Sequence, residues 1–201
     1  MKPVFLIDLG GVLIDLNWID SAKKIFGSSE NKDNLHEKWL KLKSVRKFET
    51  GISDFETFTQ ELSNEIALSV TPNDIKTAFI NIIGDIKPNC SNALTQLKKI
   101  GTLAMLSNTN SIHIDKLKSE TNLFSHFDKV YLSYRLKCVK PDKQIFDKVI
   151  ADLDCNANNI YFFDDSKTNI EAAKRFGLNA FQVTSPTEIL DTVTKLFESP
   201  L

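Results

Sequence analysis

Three carboxylates, a hydroxyl and an ammonium stand in this sequence at places where chemistry could be done. Asp8 ends the apolar run Val4-Phe5-Leu6-Ile7 and is followed by Leu9-Gly10-Gly11-Val12. A carboxylate at the carboxyl end of a parallel strand lies where open α/β sheets bind ligands. Two glycines soon after it let backbone N–H groups approach an anion closely. The plainer reading is an Asp that opens a Gly-rich turn. A second run, Tyr161-Phe162-Phe163, ends in Asp164-Asp165-Ser166. Adjacent carboxylates repel, and a divalent cation resolves the repulsion. Mg²⁺ suits oxygen ligands of this kind, because it takes few protein ligands and keeps waters for a phosphate. A solvated turn in which Asp165 or Ser166 caps the next helix is the alternative. The apolar run 103–106 ends in Ser107-Asn108-Thr109-Asn110, whose hydroxyl and amide groups can donate to a phosphoryl group or simply cap a helix. Lys140-Pro141-Asp142 precedes another helical pattern, and a lone Lys there is an ordinary surface residue unless its neighbours make it more.

Positioning such groups requires strands that end together. Short apolar runs at 3–7, 102–106, 159–163 and 179–183, with a weaker one at 129–132, read as strands buried on both faces, as parallel strands between helix layers are. Amphipathic stretches at 89–100, 112–120, 143–153, 169–176 and 187–197 alternate with them. Gly101 and Gly177 follow helices where a left-handed cap is expected. Strand alternating with helix predicts a Rossmann-like, doubly wound α/β core made of residues 1–15 and 87–201. Residues 16–86 break the alternation. There Trp39, Leu40 and Leu42, then Phe55, Phe58, Leu62 and Ile66, then Ile75, Phe79, Ile82 and Ile83 follow helical spacing, which predicts an all-helical insertion. Ser53 is expected to cap one of its helices with Glu56 closing a capping box, and Thr71-Pro72 to start another. The polar stretch 28–34 reads as a loop.

The bulk numbers narrow the function classes. The chain has 201 residues, 42% apolar and 25% charged, enough for one core carrying a smaller insertion. Its 25 Lys and Arg oppose 26 Asp and Glu, so no global field favours nucleic acid or an anionic membrane. The apolar runs are too short to span a bilayer, and the first residues lack the pattern of a signal peptide. Cys90, Cys138 and Cys155 are scattered and odd in number, which argues for reduced thiols and against a zinc site or a disulfide framework. A cytoplasmic enzyme is the expectation.

Taken together, Asp8, Ser107, Lys140 and the Asp164–Asp165 pair occur in the order found in one superfamily. The stretches 5–12, 106–110, 140–146 and 161–173 resemble the haloacid dehalogenase superfamily of phosphohydrolases, and the likeness spans essentially the whole chain. The resemblance implies that Asp8 is a nucleophile forming an aspartyl-phosphate that water then hydrolyses. It implies that Ser107, Asn108 and the backbone of Gly11 bind phosphoryl oxygens, and that Lys140 neutralises charge between Asp8 and the phosphate. Mg²⁺ would be held by Asp8, the carbonyl of Gly10 and Asp165, with Asp164 ligating directly or through water. The physics agrees, since phosphoryl transfer is mostly positioning and charge neutralisation. Residues 16–86 then resemble a mobile cap that closes over the site, with a small phosphorylated metabolite as the partner.

One position departs from most phosphatases of that superfamily, which carry a second Asp two residues after the nucleophile as general acid. Here it is Gly10. Losing such an acid is worth about 10²–10⁴-fold in rate, and least for a good leaving group. The starts Asp8-Leu9-Gly10, Leu106-Ser107-Asn108-Thr109-Asn110 and Phe162-Phe163-Asp164-Asp165 resemble a bacterial subgroup that includes α-D-glucose-1-phosphate phosphatases, in which Gly is usual here. A hexose 1-phosphate is therefore the expected substrate. Arg46, Lys47 and Glu49, in a stretch ending at Gly51, resemble a cap turn that faces the active site, although each alone reads as a charged helix end. His36, His113 and His126 lack ligand-like spacing, and Trp18 and Trp39 read as cap packing. Three rival readings remain, one of them a Mg²⁺-dependent phosphotransferase or mutase, although a mutase would usually retain the acid at the position of Gly10. A 2-haloacid dehalogenase also lacks the acid but uses no Mg²⁺, and a non-catalytic phospholigand-binding or partner-binding member rests on Gly10 alone.

Overall fold

The structure is a computed structural model that describes residues 2–27, 32–66 and 70–197. Five strands form a parallel sheet: β1 (Val4–Ile7), β4 (Thr102–Ser107), β5 (Lys129–Leu132), β6 (Ile160–Asp164) and β7 (Asn179–Gln182), in the spatial order β5-β4-β1-β6-β7. β1 lies in the centre, pairing with β4 on one side and β6 on the other, so that Ile7 is level with both Met105 and Phe163. The chain reverses its direction of strand addition at β1, which opens a crevice at the carboxyl ends of β1, β4 and β6.

Alternation along the strands sorts the core into two layers. Phe5, Ile7, Leu103 and Met105 pack with α6 (Cys90–Ile100), α7 (Ser111–Glu120) and α11 (Pro186–Phe197) through Leu94, Leu97, Ile114, Ile189 and Val193. Val4, Leu6, Ala104 and Leu106 face the opposite way, onto α9 (Lys143–Leu153) and α10 (Lys167–Arg175) through Phe146, Val149 and Ile170. Apolar residues are needed at consecutive positions because both faces are covered. This is the doubly wound α/β architecture expected. The cap conformation expected at Gly177 is present, with φ +86°, but Gly101 is extended (φ −150°). Gly101 is needed for close approach instead, since a Cβ there would run into the Phe5 ring and the Pro3 carbonyl.

Between β1 and β4 the chain leaves the sheet. It passes through β2 (Ile14–Leu16), then α1 (Trp18–Phe26), α2 (Lys32–Lys41), α3 (Lys43–Glu49), α4 (Phe55–Ile66) and α5 (Pro72–Ile80), and returns through β3 (Ile83–Ile86). The helices bury a cluster of their own containing Ile25, Leu35, Trp39, Phe48, Phe58 and Phe79. Phe48 stacks on Phe58 with centroids 4.4 Å apart, and Trp39 stacks on Phe79.

Three expectations need correction here. The insertion is not all-helical at its ends, because β2 and β3 pair antiparallel, with Leu16 opposite Ile83 and Ile14 opposite Ile86. Ile82 and Ile83 satisfy helical spacing, but α5 stops at Ile80 and β-branched residues fit the ribbon better. Helix α4 is capped by Asp54, whose Oδ1 accepts from Thr57 N at 2.7 Å, and not by Ser53, which lies one residue too early. The loop expected over 28–34 falls outside the described residues as far as 31, and α2 already begins at Lys32. Thr71 does cap α5, in a reciprocal box with Asp74. A short α8 (Ser133–Leu136) follows β5 directly.

Candidate active site

The strand register builds the site. One residue beyond the Ile7–Phe163 pairing, Asp8 N donates to the Phe163 carbonyl at 2.9 Å, which holds the Asp8 side chain beside the end of β6. Asp8, Asp164 and Asp165 each present an oxygen, and the three lie within 4.8 Å of one another. Lys140, on the loop before α9, points its ammonium into this cluster. Its Nζ lies 2.8 Å from Asp8 Oδ1, 2.6 Å from Asp164 Oδ2 and 3.0 Å from the Leu106 carbonyl. All three ammonium donors are thereby used. Lys140 is 4% exposed and Asp164 0%, so these charges act in a low-dielectric setting where pairing is strong and unpaired charge costly.

The electrostatics are unbalanced in one direction. Burial pushes the Asp8 carboxyl up to about 7; Lys140 pulls it down, while Asp164 and Asp165 push it up. Burial alone would lower the Lys140 ammonium, but Asp164 and Asp8 overcome this and hold it well above the ordinary lysine range. Three carboxylates thus cluster where two of them, Asp8 and Asp164, share one ammonium. An all-oxygen set with excess negative charge fits a hard divalent cation such as Mg²⁺.

The loops around the cluster are tied down by their own polar groups. Asn108 clasps Lys140 at two points: Nδ2 donates to the Lys140 carbonyl at 2.9 Å, and the Lys140 N–H donates to Oδ1 at 2.8 Å. This differs from the phosphate-facing role expected of Asn108, because its side chain is turned to the Lys140 backbone. Ser107 is 3% exposed at the end of β4, with Oγ held only weakly, 3.4 Å from the Asn108 carbonyl. Gly11 has φ +76°, and a Cβ there would collide with the Asp165 carboxylate. The Gly11 carbonyl accepts from Lys87 Nζ at 2.7 Å, which also donates to the Thr184 carbonyl and so staples the loop after β1 to the end of the last strand. Gly10 carries no side chain, and a Cβ there would meet the Leu16 side chain at 3.1 Å.

Several contributors were not singled out in the sequence. Asn169 Nδ2 donates to both Asp164 oxygens, at 3.0 and 3.2 Å, and the Ser166 N–H donates to Asp164 Oδ1 at 2.8 Å. The five-residue step from a strand-end Asp to the first turn of a helix was the available signal. Ser133 is buried, and its Oγ accepts from Thr109 N at 2.9 Å and lies 2.7 Å from the Glu49 carbonyl. Nothing in its sequence neighbourhood marks it. Asn110 caps α7 through His113 N and also meets His113 Nδ1.

Of the three insertion residues expected near the site, two have other partners. Arg46 pairs with Asp142 at 2.6 Å and Lys47 with Glu61 at 2.7 Å. Glu49 lies in the electrostatic reach of Lys140, and burial pushes its carboxyl up to about 7 against the pull of Lys140 and Arg46. Trp18 meets Trp39 edge-on, His36 meets Trp18 edge-on and His113 stacks on Phe79, while His126 Nε2 lies 3.4 Å from Ser91 Oγ. The three cysteines are free, and among the described residues no helix is long and apolar enough to cross a membrane.

Known proteins resemble this chain in sequence and fold. A D-ribitol-5-phosphate phosphatase from Bacteroides thetaiotaomicron is 26% identical over 96% of this chain and 98% of its own length. A predicted hydrolase of the haloacid dehalogenase type from Porphyromonas gingivalis superposes with a TM-score of 0.79 at 29% identity, covering 99% of each chain. A haloacid dehalogenase family enzyme from Bacteroides thetaiotaomicron, solved with magnesium and inorganic phosphate, gives a TM-score of 0.72 at 29% identity over 90% of this chain and 94% of its own. The sequence pattern of the haloacid dehalogenase-like hydrolases matches residues 3–177, a span that includes Asp8, Ser107, Lys140 and both strand-end aspartates, and the chain belongs to that family.

Proposed function

We propose that the protein is a Mg²⁺-dependent phosphatase that hydrolyses a small sugar or sugar-alcohol phosphate through an aspartyl-phosphate on Asp8. The observation that carries this reading is the buried Lys140 shared by Asp8 and Asp164, with Asp165 completing a three-carboxylate cluster. Mg²⁺ held by Asp8, Asp165, the Gly10 carbonyl and Asp164, directly or through water, would supply the charge that lets a phosphate dianion approach. Asp8 then offers an oxygen to phosphorus, while Lys140 keeps that oxygen ionised and oriented. Ser107 Oγ, with no strong partner of its own, donates to a phosphoryl oxygen, and the N–H groups after Asp8 donate to others. Asn108 fixes Lys140, and Asn169 fixes Asp164.

The relative named as a ribitol-5-phosphate phosphatase, and the neighbour solved with magnesium and phosphate, support the same class of reaction. A hexose 1-phosphate is one member of the substrate class. Its anomeric oxygen leaves more readily than a primary alkoxide. The insertion 16–86, built on its own apolar cluster and joined to the core by β2 and β3, serves as the cap in this reading. A dehalogenase has no use for a cation, so the Asp8–Asp164–Asp165 cluster speaks for the phosphatase.

The test is phosphate release from an aryl phosphate, hexose 1-phosphates and pentitol 5-phosphates, each with Mg²⁺ and with excess chelator. Release should vanish with chelator and in Asp8→Asn with its fold intact. Mg²⁺-independent release, or activity retained in a folded Asp8→Asn, would overturn the assignment.

A further inference from the structure

Among the described residues of the Asp8–Asp164–Asp165–Lys140 cluster, none is free to give a proton to a sugar alkoxide. Asp8, Asp164 and Asp165 are needed ionised, and the three donors of Lys140 are engaged. Gly10 has no side chain, and the space beside it is taken by Leu16. An alkoxide leaves poorly without a proton, and a positioned acid contributes about 10²–10⁴-fold.

The helical insertion offers one. Helix α3 is docked onto the loops that carry Ser107 and Lys140 by three contacts. Arg46 pairs with Asp142, two residues past Lys140. Ser133 Oγ bridges the Glu49 carbonyl (2.7 Å) and the backbone of Thr109, two residues past Ser107. Lys137 Nζ donates to the Gly51 carbonyl at 2.7 Å, and Gly51 sits so close to the Tyr134 carbonyl that a Cβ would collide with it. The last residue of α3 is thereby fixed beside the catalytic loops. Its carboxylate makes no hydrogen bond or ion pair with another described residue. Resting on the phosphatase reading, we propose that Glu49 is the proton donor to the leaving-group oxygen, supplied by the helical insertion in place of a side chain at Gly10.

The proton accounting closes over one turnover. Asp8 forms a bond to phosphorus as the phosphorus–alkoxide bond breaks, and the Glu49 carboxylic acid passes its proton to the departing oxygen, releasing the alcohol. Water then attacks the phosphoryl group on Asp8, Glu49 takes its proton, and the bond from Asp8 to phosphorus breaks. Glu49 ends protonated and Asp8 ionised, as both began. The charges around Glu49 are Lys140, shared with two aspartates; Arg46, paired with Asp142; Lys137, on the Gly51 carbonyl; and, toward α4, the Lys47–Glu61 pair and Glu65, which accepts from Lys43 and Ser44. Burial outweighs the two cations that act on the Glu49 carboxyl and holds it near 7, where the acid form is available at neutral pH.

The experiment compares kcat/KM of the Mg²⁺-loaded enzyme and of Glu49→Gln across phosphate esters of rising leaving-group pKa, from nitrophenyl to alkyl. The loss in Glu49→Gln should grow with leaving-group pKa, reaching about 10²-fold or more for alkyl esters. The fall in wild-type kcat/KM as pH rises through about 7 should disappear in the variant. A loss of equal size for every ester, with the pH limb kept, would mean that Glu49 only shapes the site and would overturn the inference. Should Glu49→Gln not fold, Glu49→Asp carries the test. A retained acid set back by one methylene should steepen the wild-type leaving-group dependence, and an unchanged slope overturns the proposal. Absence of phosphate release by the wild type would instead sink the phosphatase reading, and this inference with it.

Discussion

The chemistry of single residues here is governed by charge held in a dry place. Lys140 meets two carboxylates and a carbonyl with its ammonium and is nearly inaccessible to water. Removing it would leave Asp8 and Asp164 unscreened, which is why Asn108 spends its side chain holding the Lys140 backbone. Gly11 is constrained twice, by a positive φ and by the Asp165 carboxylate lying where a Cβ would go. Gly11→Ala should cost about 1–2 kcal/mol from the left-handed backbone alone. It should also push Asp165 out of place, weakening the apparent Mg²⁺ affinity about tenfold or more, as read by titrating activity with Mg²⁺. An unchanged Mg²⁺ dependence would show that Asp165 is not a ligand.

Elements meet in this molecule through buried polar groups as well as apolar ones. His113, near the start of α7, stacks on Phe79 of α5 and places Nε2 2.8 Å from the Phe79 carbonyl, so that nitrogen must carry the proton. Nδ1 then accepts from Asn110 at 3.1 Å. A second proton would set donor against donor. Burial, reinforced by Lys116 and opposed by the Phe79 hydrogen bond, pushes the imidazole down to about 4 from 6.5. Below pH 6.5 the unfolded chain therefore binds a proton that the folded one refuses until about 4. Stability carried by neutral His113 is complete above 6.5 and declines as pH falls toward 4, by about 3 kcal/mol at most. Urea unfolding of wild type and His113→Gln at about pH 7.5 and about pH 4 measures it. The stability advantage of wild type over the variant should shrink at the acid end, and a constant difference would mean that His113 titrates freely. The same contact joins the insertion to the core, so its loss loosens the seat of α5 on α7.

Over the whole molecule, a sheet with β1 at its centre brings loops far apart in sequence to one edge. This gathers three carboxylates, with one ammonium shared by Asp8 and Asp164, and the excess negative charge opposes folding. Mg²⁺ should therefore stabilise the fold by mass action, about 2.7 kcal/mol at a hundredfold excess over Kd. For a chain of this size that is roughly 5–10 °C in Tm. A thermal scan with and without Mg²⁺ reads this directly. Asp165→Asn should lose most of the shift, and a shift kept in full by that variant would place the cation elsewhere.

The local physics of the sequence settled the strands, the alternation of helices, and the strand-end positions of Asp8, Ser107 and Asp164. Apolar runs of strand length between amphipathic helices have few other ways to bury both faces. The spacing of Trp39, Phe58 and Phe79 likewise required a helical insertion with a core of its own. What the tertiary structure decided were interactions between residues distant in sequence. Pairing of Leu16 with Ile83 turned an apparent helix end into a ribbon. The clasp of Asn108 on Lys140 spans 32 residues, and the Ser133 bridge to Glu49 spans 84. Helical or strand periodicity fixes which face a side chain lies on. Which partner it meets there depends on where the chain returns, and that is set only when the sheet order places α3 beside the ends of β4 and β5.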